Sequence, residues 1–244
     1  MRIVVVADVH SNLEAFEAVL THAHENGGFD AIWSLGDLVG YGPDPMACIE
    51  LLQSFEHEAI VGNHDYAAIG TIGVDDFNPQ AAAVALWTGQ QLSLEARVWI
   101  GGLDPELVLE PEFTLVHGSL IDPIWNYLVS SNDAAEHLER QSTPYGFAGH
   151  THLPQLFVAT SSGAQGSRIE DGYTMRLDDT RFVANPGSTG QPRDGDPRAG
   201  YAVVDTGTDR IDFHRVPYDI AMTQSKMRAA RLPDVLWQRL AAGR

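Results

Sequence analysis

The chain of 244 residues has one cysteine, Cys48, and no apolar run approaching the roughly 20 residues that a transmembrane helix needs. A lone cysteine cannot close an internal disulfide, so the fold does not depend on an oxidising compartment. Cytoplasm is the expected location, with no membrane partner. The opening MRIVVVADVH runs from a short apolar stretch straight into ionisable residues without a small-residue cleavage site, so it reads as a first strand and not as a signal peptide. Basic residues are also scarce, 15 Lys+Arg against 33 Asp+Glu, a net charge of −18 that repels a nucleic-acid backbone and argues against a duplex partner. None lies between Arg2 and Arg97, whereas Lys226, Arg228, Arg231, Arg239 and Arg244 crowd the C-terminal end. The N-terminal part is therefore suited to cations.

What the chain does contain is an alternation of strand and helix signals. Ile3–Ala7 predicts a buried strand, and Leu13–Glu25 a helix with Leu13, Phe16, Val19, Leu20 and Ala23 at helical spacing. Further strands are expected at 31–35, 58–61, 113–116 and 145–148, and helices at 46–53, 81–92 and 94–100. That pattern predicts a parallel or mixed sheet covered by helices. After Leu153, short strands at 155–159, 173–177, 181–184, 201–204 and 211–216 suggest a second sheet, with 161–172 a loop or flap and 222–240 a helix interrupted at Pro233. No repeat or linker divides the chain, so one domain over 1–244 is expected.

Five polar clusters fall where predicted strands end: Asp8-Val9-His10, Gly36-Asp37, Gly62-Asn63-His64-Asp65, His117-Gly118 and Gly149-His150-Thr151-His152. In open α/β sheets ligands bind beyond the carboxyl ends of strands, so these side chains can meet in one crevice. Residues two apart in an extended segment point the same way, which pairs Asp8 with His10 and His150 with His152. Five of the ten histidines sit in these clusters. Burying so many imidazoles and carboxylates together without a cation is costly unless they are paired. His22 and His24, too close in sequence to share a helix face, read as structural.

The clusters resemble, in order and spacing, the DxH, GD, GNH, H and GHxH pattern of the calcineurin-like metallophosphoesterase superfamily. The resemblance spans Asp8 to His152 and implies an α/β fold of the α+β kind, a two-sheet mixed β-sandwich flanked by helices. It implies two divalent metal ions: Asp8, His10 and His152 on one, Asn63, His117 and His150 on the other, and Asp37 bridging. It also implies that His64 faces the leaving oxygen of the substrate. Carboxylate, amide and imidazole ligands without thiolate suit Mn²⁺ first, with Fe²⁺, Zn²⁺ or Ni²⁺ as alternatives. Such a metal pair clamps a phosphate and lowers the pKa of a bridging water towards neutrality.

Phosphoprotein phosphatases and bacterial diadenosine tetraphosphatases of the superfamily carry an Arg in GDxVDRG. Here the segment is Gly36-Asp37-Leu38-Val39-Gly40-Tyr41-Gly42-Pro43, which lacks that bidentate clamp. The Ser11–Ala15 continuation, the GYGP turn and Asn185-Pro186-Gly187-Ser188 look like the small bacterial and archaeal phosphodiesterases instead. In that branch Arg193, after NPGS, is a phosphate contact to be tested against a plain exposed turn. The expected activity is a dinuclear-metal phosphodiesterase acting on a small, possibly nucleotide, phosphate ester. A nucleotide phosphomonoesterase or dinucleoside polyphosphate hydrolase is the alternative, and a non-catalytic scaffold the rival from another class. Trp125, Asn126 and Tyr127 are expected in core packing, with a stacking wall as the second possibility. Packing on the acidic body is expected of the basic C-terminal segment.

Overall fold

The computed structural model describes residues 1–109, 111–178 and 180–244. The chain begins with β1 (Arg2–Val6), α1 (Leu13–Glu25), β2 (Ala31–Ser34), α2 (Pro45–Gln53) and β3 (His57–Ala59). Three helices follow, α3 (Asn63–Ile69), α4 (Pro79–Gln91) and α5 (Leu94–Gly101), then β4 (Glu106–Leu109), β5 (Phe113–Val116), α6 (Ser131–Arg140) and β6 (Tyr145–Ala148). Next come β7 (Pro154–Thr160), β8 (Gly163–Arg168), β9 (Thr174–Arg176), β10 (Phe182–Pro186), β11 (Ala199–Asp205) and β12 (Arg210–Val216). The last elements are α7 (Ile220–Ala229), α8 (Asp234–Gln238) and a 3₁₀ turn, Arg239–Ala242.

Helices begin where the sequence offers an oxygen to their free N–H groups. Asn12, Asn78, Ser93 and Asp219 accept from the backbone of Ala15, Ala81, Ala96 and Met222, and Pro45 and Pro79 occupy first-turn positions that need no donor. Each such cap stabilises its helix by about 1 kcal/mol.

Among the described residues the strands form two six-stranded sheets, β3-β2-β1-β11-β12-β9 and β4-β5-β6-β10-β7-β8. The two-sheet mixed sandwich expected above is the observed fold. Strand alternation explains how β1 serves both of its faces. Val4 and Val6 pack with Phe16, Val19 and Ile49 under the helices, while Ile3 and Val5 pack with Phe113, Phe147 and Phe182 of the facing sheet. The sheets do not divide at Leu153: β11 and β12 join the first sheet through antiparallel pairing of β1 with β11, and β4, β5 and β6 belong to the second. The 161–172 segment is likewise not a flap. Its β8 pairs antiparallel with β7 as an edge hairpin, and its sequence GAQGSR lacks alternation because Gln165 to Arg168 are exposed in succession, with no buried face to pattern, and Gly166 sits on the ring of Phe157. α6, capped by Ser130, and β4 were both without a sequence assignment.

Three strands in each sheet run parallel: β3, β2 and β1 in one, β5, β6 and β10 in the other. The loops leaving β1, β2, β3, β5 and β6 carry the five polar clusters, so the sandwich delivers all of them to one end.

Candidate metal centre

The loops are held in conformations that ordinary residues avoid. Asp8, His10, Asp37, His150 and His152 all have left-handed backbones, with φ from 49° at His10 to 64° at His150. A non-glycine residue there costs roughly 1 kcal/mol or more, and persists only where the surroundings impose it. The imposing contacts run between loops. His10 N–H donates to Asp37 O at 2.9 Å, Ser11 N–H to Leu38 O at 3.0 Å, and Gly149 N–H to His117 O at 2.9 Å. The buried carboxylate of Asp65 accepts from the N–H groups of Leu38, Val39 and Gly62, tying the GD loop to the start of α3. From far along the chain, Ser188 Oγ and Gly190 N–H donate to Asp8 O, and Asn185 Nδ2 donates to Gly149 O at 2.7 Å. The NPGS segment is therefore a brace for the first and last ligand loops.

Within this frame the imidazoles have fixed tautomers. Nδ1 of His10, His117 and His152 lies 3.2, 2.9 and 2.6 Å from the carbonyls of Val39, Leu35 and Gln191. A carbonyl only accepts, so each Nδ1 carries the proton and each Nε2 presents a lone pair. Those lone pairs converge: His10 Nε2 is 3.1 Å from His152 Nε2, and His117 Nε2 is 3.1 Å from His150 Nδ1 and 3.2 Å from Asn63 Oδ1. Asp8 Oδ1 lies 3.6 Å from His152 Nε2. Two ligand groups result, Asp8 with His10 and His152, and Asp37 with His117 and His150, all buried, the ligand atoms of each within 4.8 Å of one another. Asp37 Oδ2 stands between the groups, 3.6 Å from His10 Nε2 and 3.5 Å from His117 Nε2.

Facing lone pairs and carboxylates repel unless a cation lies among them, and burial acts on their protonation in the same sense. Burial pushes the Asp8 carboxyl up to about 7, with the Asp37 charge adding to it. Asp37 itself is raised well above the carboxylate range by burial and then by Asp65. Burial holds His10, His64 and His152 well below the usual imidazole value and His150 down to about 2. Asp8 Oδ2 is buried with no hydrogen-bond partner among the described residues. The donor set thus fits a pair of divalent cations: neutral nitrogens, anionic oxygens, one amide oxygen and no sulfur.

The candidate ligands, His64 and Arg193 are all at or beside this cluster. His64 packs against Tyr41, Phe77 and His10 at ring separations of 4.3, 4.9 and 5.0 Å, its Nδ1 buried and unpaired among the described residues. The Arg193 charge acts on Asp8, Asp37 and His64, and its Nη2 donates to Gln191 Oε1 at 3.0 Å. Tyr127 is not core packing: the residue is 49% exposed and its ring stacks on His150 at 4.1 Å, while Trp125 meets Phe77 at 5.3 Å. Tyr41, Gln191 and Arg239 escaped the sequence reading. For Arg239 the signal was the basic C-terminal segment, whose Met227, Leu236 and Leu240 pack on Tyr41 and Val84.

Residues 1–209 match the model of the calcineurin-like phosphoesterase superfamily domain. The chain belongs to that superfamily. As a member it is a metal-dependent phosphoric ester hydrolase. Its superfamily relatives include a metallophosphoesterase from Sphaerobacter thermophilus, whose crystal structure is 43% identical, with a TM-score of 0.90 over 100% of this chain and 99% of that one. An uncharacterized protein of Methanocaldococcus jannaschii is 36% identical across 99% of this chain and 98% of its own length. A symmetrical bis(5'-nucleosyl)-tetraphosphatase of Glaesserella parasuis is 28% identical over 50% of this chain and 46% of its own. No described helix is long and apolar enough to cross a membrane.

Proposed function

We propose that this chain is a phosphodiesterase holding two divalent ions, Mn²⁺ first among them. Asp8, His10 and His152 hold one, Asn63, His117 and His150 the other, and Asp37 is shared. The observation that carries this reading is the set of imidazoles whose Nδ1–H groups are committed to backbone carbonyls while their Nε2 lone pairs face one another and Asp37. When bound, the ions supply Lewis acidity and a water ionised near neutral pH. The protein's own part is positional. Asp37 fixes the spacing of the groups, the carbonyls of Val39, Leu35 and Gln191 orient the rings, and the buried frame excludes bulk water. His64 donates a hydrogen bond to the leaving oxygen, a contribution of about 10²- to 10⁴-fold. Hydrolysis places the water oxygen on phosphorus and a proton on the leaving oxygen.

The diester preference rests on the GD loop, where a phosphatase-type arginine is missing. The position of that arginine is taken by Tyr41, whose ring stands 4.3 Å from His64 and 4.7 Å from His10, so this loop supplies an aromatic face and no guanidinium. One domain over 1–244 and a cytoplasmic location complete the proposal. The test is hydrolysis of bis(4-nitrophenyl) phosphate and 4-nitrophenyl phosphate by metal-stripped protein titrated with Mn²⁺. Metal-dependent turnover favouring the diester, and lost in Asp37→Asn, is expected. A monoester preference would make it a phosphatase, and silence on both esters would leave a scaffold.

A further inference from the structure

Two arginines meet beside the metal centre, and no carboxylate among the described residues pairs with either. The Arg193 and Arg239 guanidinium carbons lie 5.8 and 5.2 Å from the centre of the Tyr41 ring, and that ring also contacts His64 and His10. Both guanidiniums donate to the same neutral acceptor, Gln191 Oε1. The Nε of each is buried without a hydrogen-bond partner, and neither forms an ion pair among the described residues. Elsewhere Arg2, Arg198, Arg215 and Lys226 all reach carboxylates. In a chain with 33 acidic residues against 15 basic ones, two adjacent half-buried arginines left unpaired are a selective feature. They also oppose each other: burial, and then the charge of Arg193, pull Arg239 down to about 10. Convergent forks with free N–H groups suit a phosphoryl group better than any neutral ligand.

We propose that Arg193 and Arg239 form a second anion subsite, which takes a phosphoryl group next along the chain from the one attacked, so that the substrates are esters of a polyphosphate chain. This rests on the phosphodiesterase reading above. Two divalent ions with Asp8 and Asp37 would already carry more positive charge than one phosphodiester neutralises, so two further cations call for more negative charge. An interior phosphorus of a polyphosphate ester resembles a diester in having two bridging oxygens. Water adds its oxygen to that phosphorus, the P–O bond to the next phosphate breaks, and the leaving phosphate keeps the bonding pair and takes the proton. The guanidiniums bind that leaving phosphate. Arg239 comes from the C-terminal 3₁₀ turn, which gives the basic C-terminal segment a role besides packing.

The test has two arms, each on the full-length chain with Arg239→Gln, and with Arg239→Lys in its place if the first fails a thermal-unfolding check. In chelator, calorimetry with tripolyphosphate is expected to show binding that falls about tenfold to a hundredfold in the variant, the weight of one charge-assisted contact. No binding by the wild type, or equal binding by both, overturns the subsite. With Mn²⁺, kcat/KM is compared for diadenosine tetraphosphate and bis(4-nitrophenyl) phosphate. The variant's loss is expected to be at least tenfold greater for the polyphosphate, and equal losses overturn the assignment. If the wild type cleaves neither ester, the catalytic reading fails on its own, and the calorimetry still decides the subsite.

Discussion

Asp37 Oδ1 accepts the backbone N–H of His64 at 2.8 Å, so the carboxylate between the two ligand groups also fixes the first turn of the helix that carries His64. Charge and position are therefore joined in one residue. Its other oxygen is the atom nearest to both His10 and His117 among the carboxylates.

Asp37→Asn separates the two roles, because the amide keeps the volume and an acceptor oxygen but loses the charge. The helix start should survive, with little change in unfolding temperature. Turnover should fall at least a hundredfold, and metal content should drop, since loss even of outer-shell support costs about 10- to 100-fold. Elemental analysis beside kcat checks this, and full metal occupancy with an unaltered rate would sink the shared position.

Gly62 shows why the GNH motif begins with glycine. Its φ of −108° suits any residue, yet a Cβ there would overlap Asp37 Oδ1 and come within 2.5 Å of Asp37 N. Gly62→Ala should destabilise the fold by roughly 1–3 kcal/mol through overpacking and lower activity as Asp37 is displaced. Gly70 is the control, with φ of 78° and open space around its Cβ position. Gly70→Ala should cost about 1 kcal/mol of backbone strain without touching turnover. Denaturant unfolding of both variants decides it, and equal effects on activity would contradict the steric account.

The metal cluster was legible because its residues are local in sequence: each ligand loop is a few residues of glycine and ionisable side chains directly after a strand. Their meeting was an expectation from strand-end geometry, and the sandwich itself came from the resemblance. Sheet membership was not legible. The pairing of Val4 with Val203 joins opposite ends of the chain, and nothing in either strand's composition names its partner. Helix α6 was hidden because its buried face includes His137, a polar residue that breaks the apolar period, beside Ala134 and Leu138. Edge strand β8 has no period to read, since Gln165 to Arg168 are exposed in succession. Arg239 needed the folded position of the C-terminal turn.

Tyr127 stacks on His150 with rings inclined by only 21°, which restrains the imidazole from its solvent side. Tyr127→Ala should weaken binding of the metal on that side about threefold to tenfold, the range of an aromatic pair. Tyr127→Phe should keep it, because the ring and not the hydroxyl makes the contact. Mn²⁺ titration followed by calorimetry distinguishes them; a Phe variant as weak as the Ala variant would move the effect to the hydroxyl.

His137 gives the fold a predictable acid limit. Its Nδ1 accepts the Leu120 N–H at 3.1 Å, and Nε2 donates to Gln141 Oε1 at 3.2 Å, so the neutral ring is satisfied at both nitrogens. A second proton would break the Leu120 bond, and burial lowers the group to about 4. The folded value lies below the unfolded value of about 6.5, so the neutral ring's contribution is complete above pH 6.5 and is lost as pH falls towards 4. That span corresponds to about 3 kcal/mol. His137→Gln cannot titrate, so the stability gap between wild type and variant should narrow steadily from pH 7 to pH 4. The buried metal-site groups titrate in both proteins and cancel in the difference, because they share no partner with His137. A gap that stays constant across this range would mean that the ring is not held neutral, and that its bond to Leu120 contributes little to anchoring the loop that carries Trp125 and Tyr127.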